Sequence, residues 1–157
     1  MSEKTTPAHS DQHDDPTLWL ENQICFPLYS AHNALLRTYR PILELLDLTY
    51  PQYLVMLALW KEQPVTVSEL GRCLFLDSGT LTPLLKRMEA KGLITRKKSA
   101  QDERVKQIEL TAKGQELKKQ AKGVPEQLAQ KNTDMTMEEI SQLKALCEKF
   151  FDQLNDR

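Results

Sequence analysis

Residues 76–89 read LDSGTLTPLLKRME, with apolar side chains at Leu81, Leu84, Leu85 and Met88. This three- and four-residue spacing is typical of one face of a helix. We expect that helix to run from residue 79 to residue 91 and to stop at Gly92. A tight break at residues 76–78 separates it from a shorter predicted helix, residues 65–75. Two short helices joined by a tight turn are typical of a helix-turn-helix.

The pattern then changes from a helical to an extended period. Residues 93–98 and 105–110 alternate in polarity or carry β-branched side chains on either side of a polar turn at residues 99–103, which predicts a two-stranded hairpin. A charged hairpin that directly follows a helix-turn-helix is typical of the winged form of that motif. We therefore expect a mainly α fold with a small β-hairpin wing.

A long amphipathic helix precedes this unit, because apolar side chains recur at helical spacing from residue 18 to residue 46. Pro41 is expected to kink this helix near its end, and Pro27 either lies in its first turn or bends it. Capping residues mark three more helices. Thr49 and Pro51 begin a buried helix that ends at Trp60, and Thr111 begins a helix that ends at about residue 130. Thr136 and Glu139 begin a last helix that ends at residue 154.

The composition narrows the class of protein. A chain of 157 residues has room for one domain, and its 5 glycines and 6% aromatic residues argue against a sandwich or barrel with many turns. The longest apolar run, residues 53–60, is too short to cross a membrane. Residues 1–16 are acidic and lack an apolar signal core, so we expect a disordered tail on a cytoplasmic protein. Three widely spaced cysteines favour free thiols in a reducing compartment.

Positive charge is concentrated in one part of the chain. The whole chain has 21 basic and 22 acidic residues, yet residues 86–106 have eight basic and three acidic residues, a local net charge of +5. Such a cluster is typical of a surface that binds phosphate groups, and a solvated charged hairpin is the alternative. The predicted DNA-contacting cations are Lys86, Arg87, Arg96, Lys97, Lys98 and Arg104, with Asp102 able to pair with Arg104 and stiffen the wing turn.

Short hydroxyl side chains stand at the start of the second helix of the motif, where a recognition helix meets base edges. Ser78, Thr80 and Thr82 are the candidates for base contact, although Asp77 or Ser78 could instead cap the helix. Together with the basic cluster, these residues predict binding of double-stranded DNA.

Four segments together resemble the MarR family of winged-helix repressors: LDSGTLTPLLKRME at 76–89, GLITR at 92–96, DER at 102–104 and LT at 110–111. Two more are similar to the organic hydroperoxide regulator (OhrR) branch of that family: LENQICF at 20–26 and TYPQYL at 49–54. The resemblance implies a homodimer that places two recognition helices in successive major grooves. It implies one domain over residues 17–157, with residues 17–48 and 112–157 in dimerisation and residues 49–111 as the winged helix-turn-helix.

A cysteine that senses peroxide must react as a thiolate. Cys25 lies near the start of the first predicted helix, where backbone N–H groups and the positive end of the helix dipole favour an anion. Tyr29, Tyr39 and Tyr50 carry hydroxyls that can donate hydrogen bonds to sulfur. The resemblance implies that Cys25 reacts with an organic hydroperoxide, the inducer, and that the three tyrosines are its hydrogen-bond donors across the dimer.

The other two cysteines have different expected roles. We expect Cys73 to be buried and structural. One subclass of the OhrR branch has a resolving cysteine in the helix before the last, but residues 111–134 contain none. The expected partner of oxidised Cys25 is therefore a low-molecular-weight thiol, with Cys147 as the alternative.

Two rival functions remain open at this point. The first is a MarR-type repressor that a small phenolic ligand releases without redox sensing. The second is a thiol peroxidase, which we do not expect because the chain has no evident resolving thiol and no Ser, His and Asp constellation. No paired Cys or His spacing marks a zinc site, and we expect neither a metal nor a cofactor.

Overall fold

The computed structural model describes residues 15–98, 105–131 and 134–155. Two 3-10 helices, Pro16–Leu18 and Leu20–Asn22, are followed by α1 (Cys25–Glu44), α2 (Tyr50–Lys61), β1 (Val65–Thr66), α3 (Val67–Leu74), α4 (Ser78–Ala90), β2 (Ile94–Lys98), β3 (Lys106–Leu110), α5 (Ala112–Ala121), α6 (Val124–Ala129) and α7 (Met137–Asn155). This order confirms the predicted mainly helical class.

The chain divides between Arg37 and Thr38 into two compact units. Within the described ranges, no helix combines the length and apolar character needed to span a bilayer.

The first long helix begins at Cys25, later than predicted. Ahead of it, Asp15 caps the first 3-10 helix by accepting a hydrogen bond from the Thr17 N–H at 3.0 Å. The side-chain amide of Asn22 donates to the Pro16 carbonyl at 2.7 Å. Side chains therefore satisfy backbone groups here in place of α-helical hydrogen bonds. Nearly all of the predicted disordered tail lies outside the described residues.

Both prolines of α1 are accommodated in the helix. Pro27 lies in its first turn, where its missing N–H removes no helical hydrogen bond. The helix continues through Pro41 to Glu44. Helix α2 then begins as predicted, with Thr49 and Gln52 forming a capping box.

The wing is part of a three-stranded antiparallel sheet in the order β1-β3-β2. Pairing of Ile94 with Leu110 confirms the predicted hairpin. The third strand was not predicted: Val65 pairs with Ile108, so the residues expected to begin α3 are extended. Thr66 then caps α3 by accepting a hydrogen bond from the Glu69 N–H at 3.1 Å. The predicted turn between β2 and β3 lies outside the described residues.

The helix predicted after the hairpin is two helices, α5 and α6. Gly123 precedes α6 and Pro125 lies at its start. In a continuous helix the proline ring would clash with the carbonyl of Ala121, four residues earlier. Thr111 caps α5 as predicted, accepting a hydrogen bond from the Gly114 N–H at 3.0 Å.

The core of the second unit lies among α2, α3, α4 and the sheet, where the fully buried side chains include Met56, Leu59, Leu81, Met88 and Ile108. Two glycines permit close approaches there. A Cβ at Gly114 would lie 2.2 Å from the carbonyl oxygen of Leu93, and a Cβ at Gly71 would lie 2.9 Å from that of Leu76. The second approach brings α3 against the turn before α4.

Candidate nucleic-acid interface and thiol site

The recognition helix α4 begins at Ser78 behind a capped end. Asp77 accepts hydrogen bonds at 2.8 Å from both the N–H and the hydroxyl of Thr80. These hydrogen bonds lower the pKa of the Asp77 carboxyl. Asp77 is therefore the cap, and it holds the Thr80 hydroxyl, while Ser78 and Thr82 are exposed at the same end of the helix.

A cleft of about 290 Å³ lies between α4 and the wing, and its lining residues are Val67, Thr82, Leu85, Arg96 and Lys106. It brings together Thr82 and Arg96, two of the predicted DNA contacts. It adds Lys106, which belongs to the basic cluster of the sequence but was not among the predicted contacts. The position of Lys106 follows from the strand register, which pairs it with Lys98.

Two cations of β2 are held by carboxylates of the same chain. The Nε of Arg96 donates to Oε2 of Glu89 at 2.8 Å, and a terminal nitrogen of Arg96 bonds the same oxygen. The hydrogen bond from Arg96 is the main reason why the pKa of Glu89 is lowered. Lys97 Nζ lies 2.6 Å from Oε2 of Glu109. Arg96 therefore ties the wing to α4, and its side chain is 20% exposed against 62% for Lys97.

The remaining predicted cations differ in position. Lys86 and Arg87 are exposed on α4, and Lys98 is exposed at the end of β2. Asp102 and Arg104 lie outside the described residues. The described surface thus presents exposed cations on both the recognition helix and the wing, an arrangement that suits contact with phosphates on either side of a groove.

Cys25 is the first residue of α1, and its side chain is exposed. Tyr29 follows one helical turn later and is 65% exposed. Residues four apart lie on the same face of a helix, so the Tyr29 side chain neighbours the Cys25 position.

The expected burial of Cys73 is wrong, because its side chain is exposed. The face of α3 that meets the core is centred on Leu70, with Val67 and Leu74 beside it, and Cys73 lies to one side of that face. Cys147 is also exposed, on α7.

The second unit holds an aromatic cluster that contains two of the predicted donors. The ring centroids of Tyr39 and Tyr50 are 4.9 Å apart. Tyr53 lies 6.1 Å from Tyr39 and meets Trp60 edge-on at 6.5 Å. Burial is the main cause that raises the pKa values of all three phenols, so their hydroxyls keep their protons at neutral pH and can donate hydrogen bonds. Tyr53 was not predicted in this cluster, although it is the fourth tyrosine of the same stretch of sequence.

Comparison with known proteins places these features in a family. Residues 37–121 match the family model described as transcriptional regulator SarA/Rot. Over 106 residues the chain is 53% identical to the organic hydroperoxide resistance transcriptional regulator of Bacillus subtilis. The aligned segment covers 68% of this chain and 72% of that protein. This chain belongs to the MarR/SarA family of winged-helix transcriptional regulators.

Other members extend the match along more of the regulator. The transcriptional regulator TtmR of Methylorubrum extorquens is 46% identical over 144 residues, 92% of this chain and 73% of that protein. Among solved structures, reduced AbfR bound to DNA is 36% identical with a TM-score of 0.72, and the match covers 87% of this chain and 93% of AbfR. AbfR has also been solved overoxidised on DNA and with a disulfide formed. This chain is accordingly a DNA-binding transcriptional regulator.

Proposed function

We propose that this regulator is an operator-binding repressor that releases DNA when an organic hydroperoxide oxidises Cys25. The observation that carries the proposal is an exposed thiol at the first residue of α1 in a chain 53% identical to an organic hydroperoxide resistance regulator. The reduced, overoxidised and disulfide forms of AbfR add support, because they record redox chemistry in a relative of the same fold.

Operator contact is assigned to the exposed features of α4 and the wing. Ser78 and Thr82 stand at the end of α4 that would meet base edges. The exposed cations would contact phosphates, and the Thr80 hydroxyl contributes less because Asp77 already holds it. The cations assigned to phosphate contact are Lys86, Arg87, Lys97, Lys98 and, in the cleft beside Thr82, Lys106.

The repressor acts as a homodimer in this proposal. Helix α7 contains no buried residue, and Leu143, Leu146 and Leu154 along it are 50%, 64% and 63% exposed. An apolar stripe of this kind is stable in water only when another surface covers it. A second copy of the chain supplies that surface and places two recognition helices about 34 Å apart, one turn of the duplex.

The chemistry takes two steps, the first of which joins the Cys25 thiolate and the hydroperoxide. The Cys25 sulfur attacks the terminal oxygen of the hydroperoxide, so that an S–O bond forms, the O–O bond breaks, and a sulfenic acid and an alcohol remain after the alkoxide takes up a proton. A small thiol then attacks the sulfenic sulfur, which forms a mixed disulfide and releases water. Overoxidised AbfR was solved on DNA, which favours the bulkier disulfide as the form that releases the operator. The response is stoichiometric, so we do not assign enzymatic turnover.

Operator release by cumene hydroperoxide in the presence of a small thiol tests the proposal. Wild type, Cys73→Ser and Cys147→Ser are expected to lose operator binding on treatment, and Cys25→Ser is expected to keep it. Cys73→Ser and Cys147→Ser are the controls, because each makes the same chemical change as Cys25→Ser at another exposed thiol. Release of the Cys25→Ser variant by peroxide would refute the assignment of the sensor. Release of untreated wild type by salicylate, without any response to peroxide, would support a repressor controlled by a phenolic ligand instead.

A further inference from the structure

The C-terminal end of the recognition helix is joined through one residue, Lys91, to the loop after α1 and to helix α5. Its ammonium group donates to the backbone carbonyl of Asp47 and lies 2.8 Å from Oδ1 of the same residue. The carbonyl of Lys91 accepts a hydrogen bond from Nζ of Lys113, on α5, at 2.9 Å. Lys91 therefore links the end of α4 to the loop after α1 and to the first turns of α5.

The position of Asp47 is fixed by the end of α1. Its N–H donates to the carbonyl of Glu44 at 3.1 Å, and the N–H of Leu48 donates to Leu43 at 3.0 Å. Leu46 and Leu48 on either side are buried, and the backbone of Asp47 is left-handed with φ of 51°. A side chain at this position must point outward, and Lys91 meets it there. The hydrogen bond from Lys91 is the main cause that lowers the pKa of Asp47.

We propose that Lys91 is a positioning residue that sets the angle of the recognition helix against α1 and α5, and that it does not contact DNA phosphate. It is one of the eight basic residues of the positive cluster, but its ammonium group is engaged by Asp47 and its side chain is only 30% exposed. Since Asp47 follows the end of α1, a movement of that end of α1 would reach the recognition helix through this link. This last consequence rests on the proposed peroxide response, whereas the positioning role rests on DNA binding alone.

Salt dependence separates a positioning residue from a phosphate contact. Each lost phosphate contact reduces the slope of log affinity against log salt by about 0.9. Lys91→Met keeps the length of the side chain and removes the ammonium group, and Lys86→Met makes the same change at an exposed cation of α4. Lys91→Met is expected to weaken operator binding by about three- to tenfold with an unchanged salt slope, and Lys86→Met to reduce the slope by about 0.9.

Two further variants test the link itself. Lys91→Arg is expected to restore most of the affinity, because a guanidinium group can donate to the same oxygens. Asp47→Asn keeps the backbone carbonyl and tolerates a left-handed backbone, so it is expected to weaken binding less than Lys91→Met. A Lys91→Met slope reduced by about 0.9 would make Lys91 a phosphate contact, and unchanged affinity would remove any positioning role. Stoichiometric titration with operator gives the fraction of each protein that can bind DNA, and each affinity is corrected for that fraction.

The peroxide arm is measured in the same variants. If the link carries the movement of α1, Lys91→Met is expected to show a smaller ratio of reduced to oxidised affinity than wild type. An equal ratio would mean that α1 acts through another route. If wild type does not respond to peroxide, the proposed function is wrong. The affinity and the salt slope would still test the positioning role of Lys91.

Discussion

Helices α2 and α7 are both rich in apolar side chains, but only α2 buries them within the chain. The 12 residues of α2 include five buried ones, and the 19 residues of α7 include none. Leu59 on α2 is 1% exposed, whereas Leu146 on α7 is 64% exposed. The described ring contact between α7 and the winged region is that of Phe151 with Phe75, at a centroid distance of 4.3 Å.

The difference follows from the distribution of apolar side chains around each helix. Helix α2 is apolar on most sides and lies inside the core of the winged region. Helix α7 is amphipathic, with one apolar stripe at helical spacing and a charged opposite face. The apolar side chains of α2 are therefore covered within one chain, and the apolar face of α7 fits the second copy proposed above.

The largest expected effect comes from a charge on the α7 stripe. Leu146→Glu places a carboxylate where the partner surface would lie, and a buried unpaired charge is strongly unfavourable. The variant is expected to be a monomer by sedimentation velocity. Its operator affinity is expected to fall by about two orders of magnitude, because binding of one subunit no longer holds a second subunit beside the other half-site.

The matched control for this change is Ser141→Glu, on the opposite face of α7. It is expected to leave both the sedimentation coefficient and operator affinity unchanged. A dimeric Leu146→Glu protein with full affinity would contradict the assignment of the α7 stripe to the dimer.

Core truncation sharpens the same comparison. In the Leu146→Glu background, Leu59→Ala is expected to lower the free energy of unfolding by about 2–5 kcal/mol, because it leaves a cavity in the core. Leu143→Ala on α7 is expected to change it by less than about 0.5 kcal/mol in that background. Urea denaturation measures both. Equal losses would mean that α7 packs against its own chain.

A smaller effect is expected at Gly114, where α5 approaches the backbone of Leu93. Gly114→Ala would bring a Cβ to 2.2 Å from the carbonyl oxygen of Leu93, and the required shift is expected to cost about 1–3 kcal/mol. Gly123→Ala is the control, since its Cβ would meet only the side chain of Gln127 at 3.5 Å. Thermal unfolding is expected to show a lower Tm for the first variant alone.

The smallest expected effect is a dependence of stability on acid pH. The backbone hydrogen bond from Thr66 is the main cause that lowers the pKa of Glu69, the partner of Thr66 in the capping box of α3, from its ordinary value of 4.5. A lowered pKa in the folded state stabilises the protein above that ordinary value, and the stabilisation is lost as pH falls through the lower folded value. Tm is expected to fall below pH 4.5, and less steeply for Glu69→Gln than for wild type. The control Glu62→Gln, at an exposed carboxylate that ends α2, is expected to keep the wild-type slope.

Much of the fold was predictable because its signals are local. The apolar spacing of α4 and the capping residues Thr49 and Thr136 placed helices within a residue or two of their observed bounds. Strand β1 was missed because two residues have no periodicity, and its partner Ile108 lies far along the sequence. The break between α5 and α6 could have been predicted from Gly123 and Pro125.

The candidate site was less predictable because its residues depend on tertiary neighbours. The cap at Asp77 is a local property, and the sequence offered it as an alternative. The ion pair of Arg96 with Glu89 and the bonds of Lys91 to Asp47 join separate elements, so no spacing in the sequence signals them. The exposure of Cys73 could have been predicted, because the spacing of Val67, Leu70 and Leu74 defines the apolar face of α3 and places Cys73 to one side of it.

Oxidation of one sulfur and occupancy of the operator can be followed in the same sample. Increasing amounts of cumene hydroperoxide are added to the regulator–operator complex with a small thiol present. Each aliquot is divided between fluorescence anisotropy and differential alkylation with mass spectrometry of the three cysteines. The fraction of operator released is expected to rise with the fraction of Cys25 converted to the mixed disulfide and to be complete when conversion is complete. Release while the Cys25 thiol remains intact, or full conversion with the operator still bound, would contradict the proposed switch.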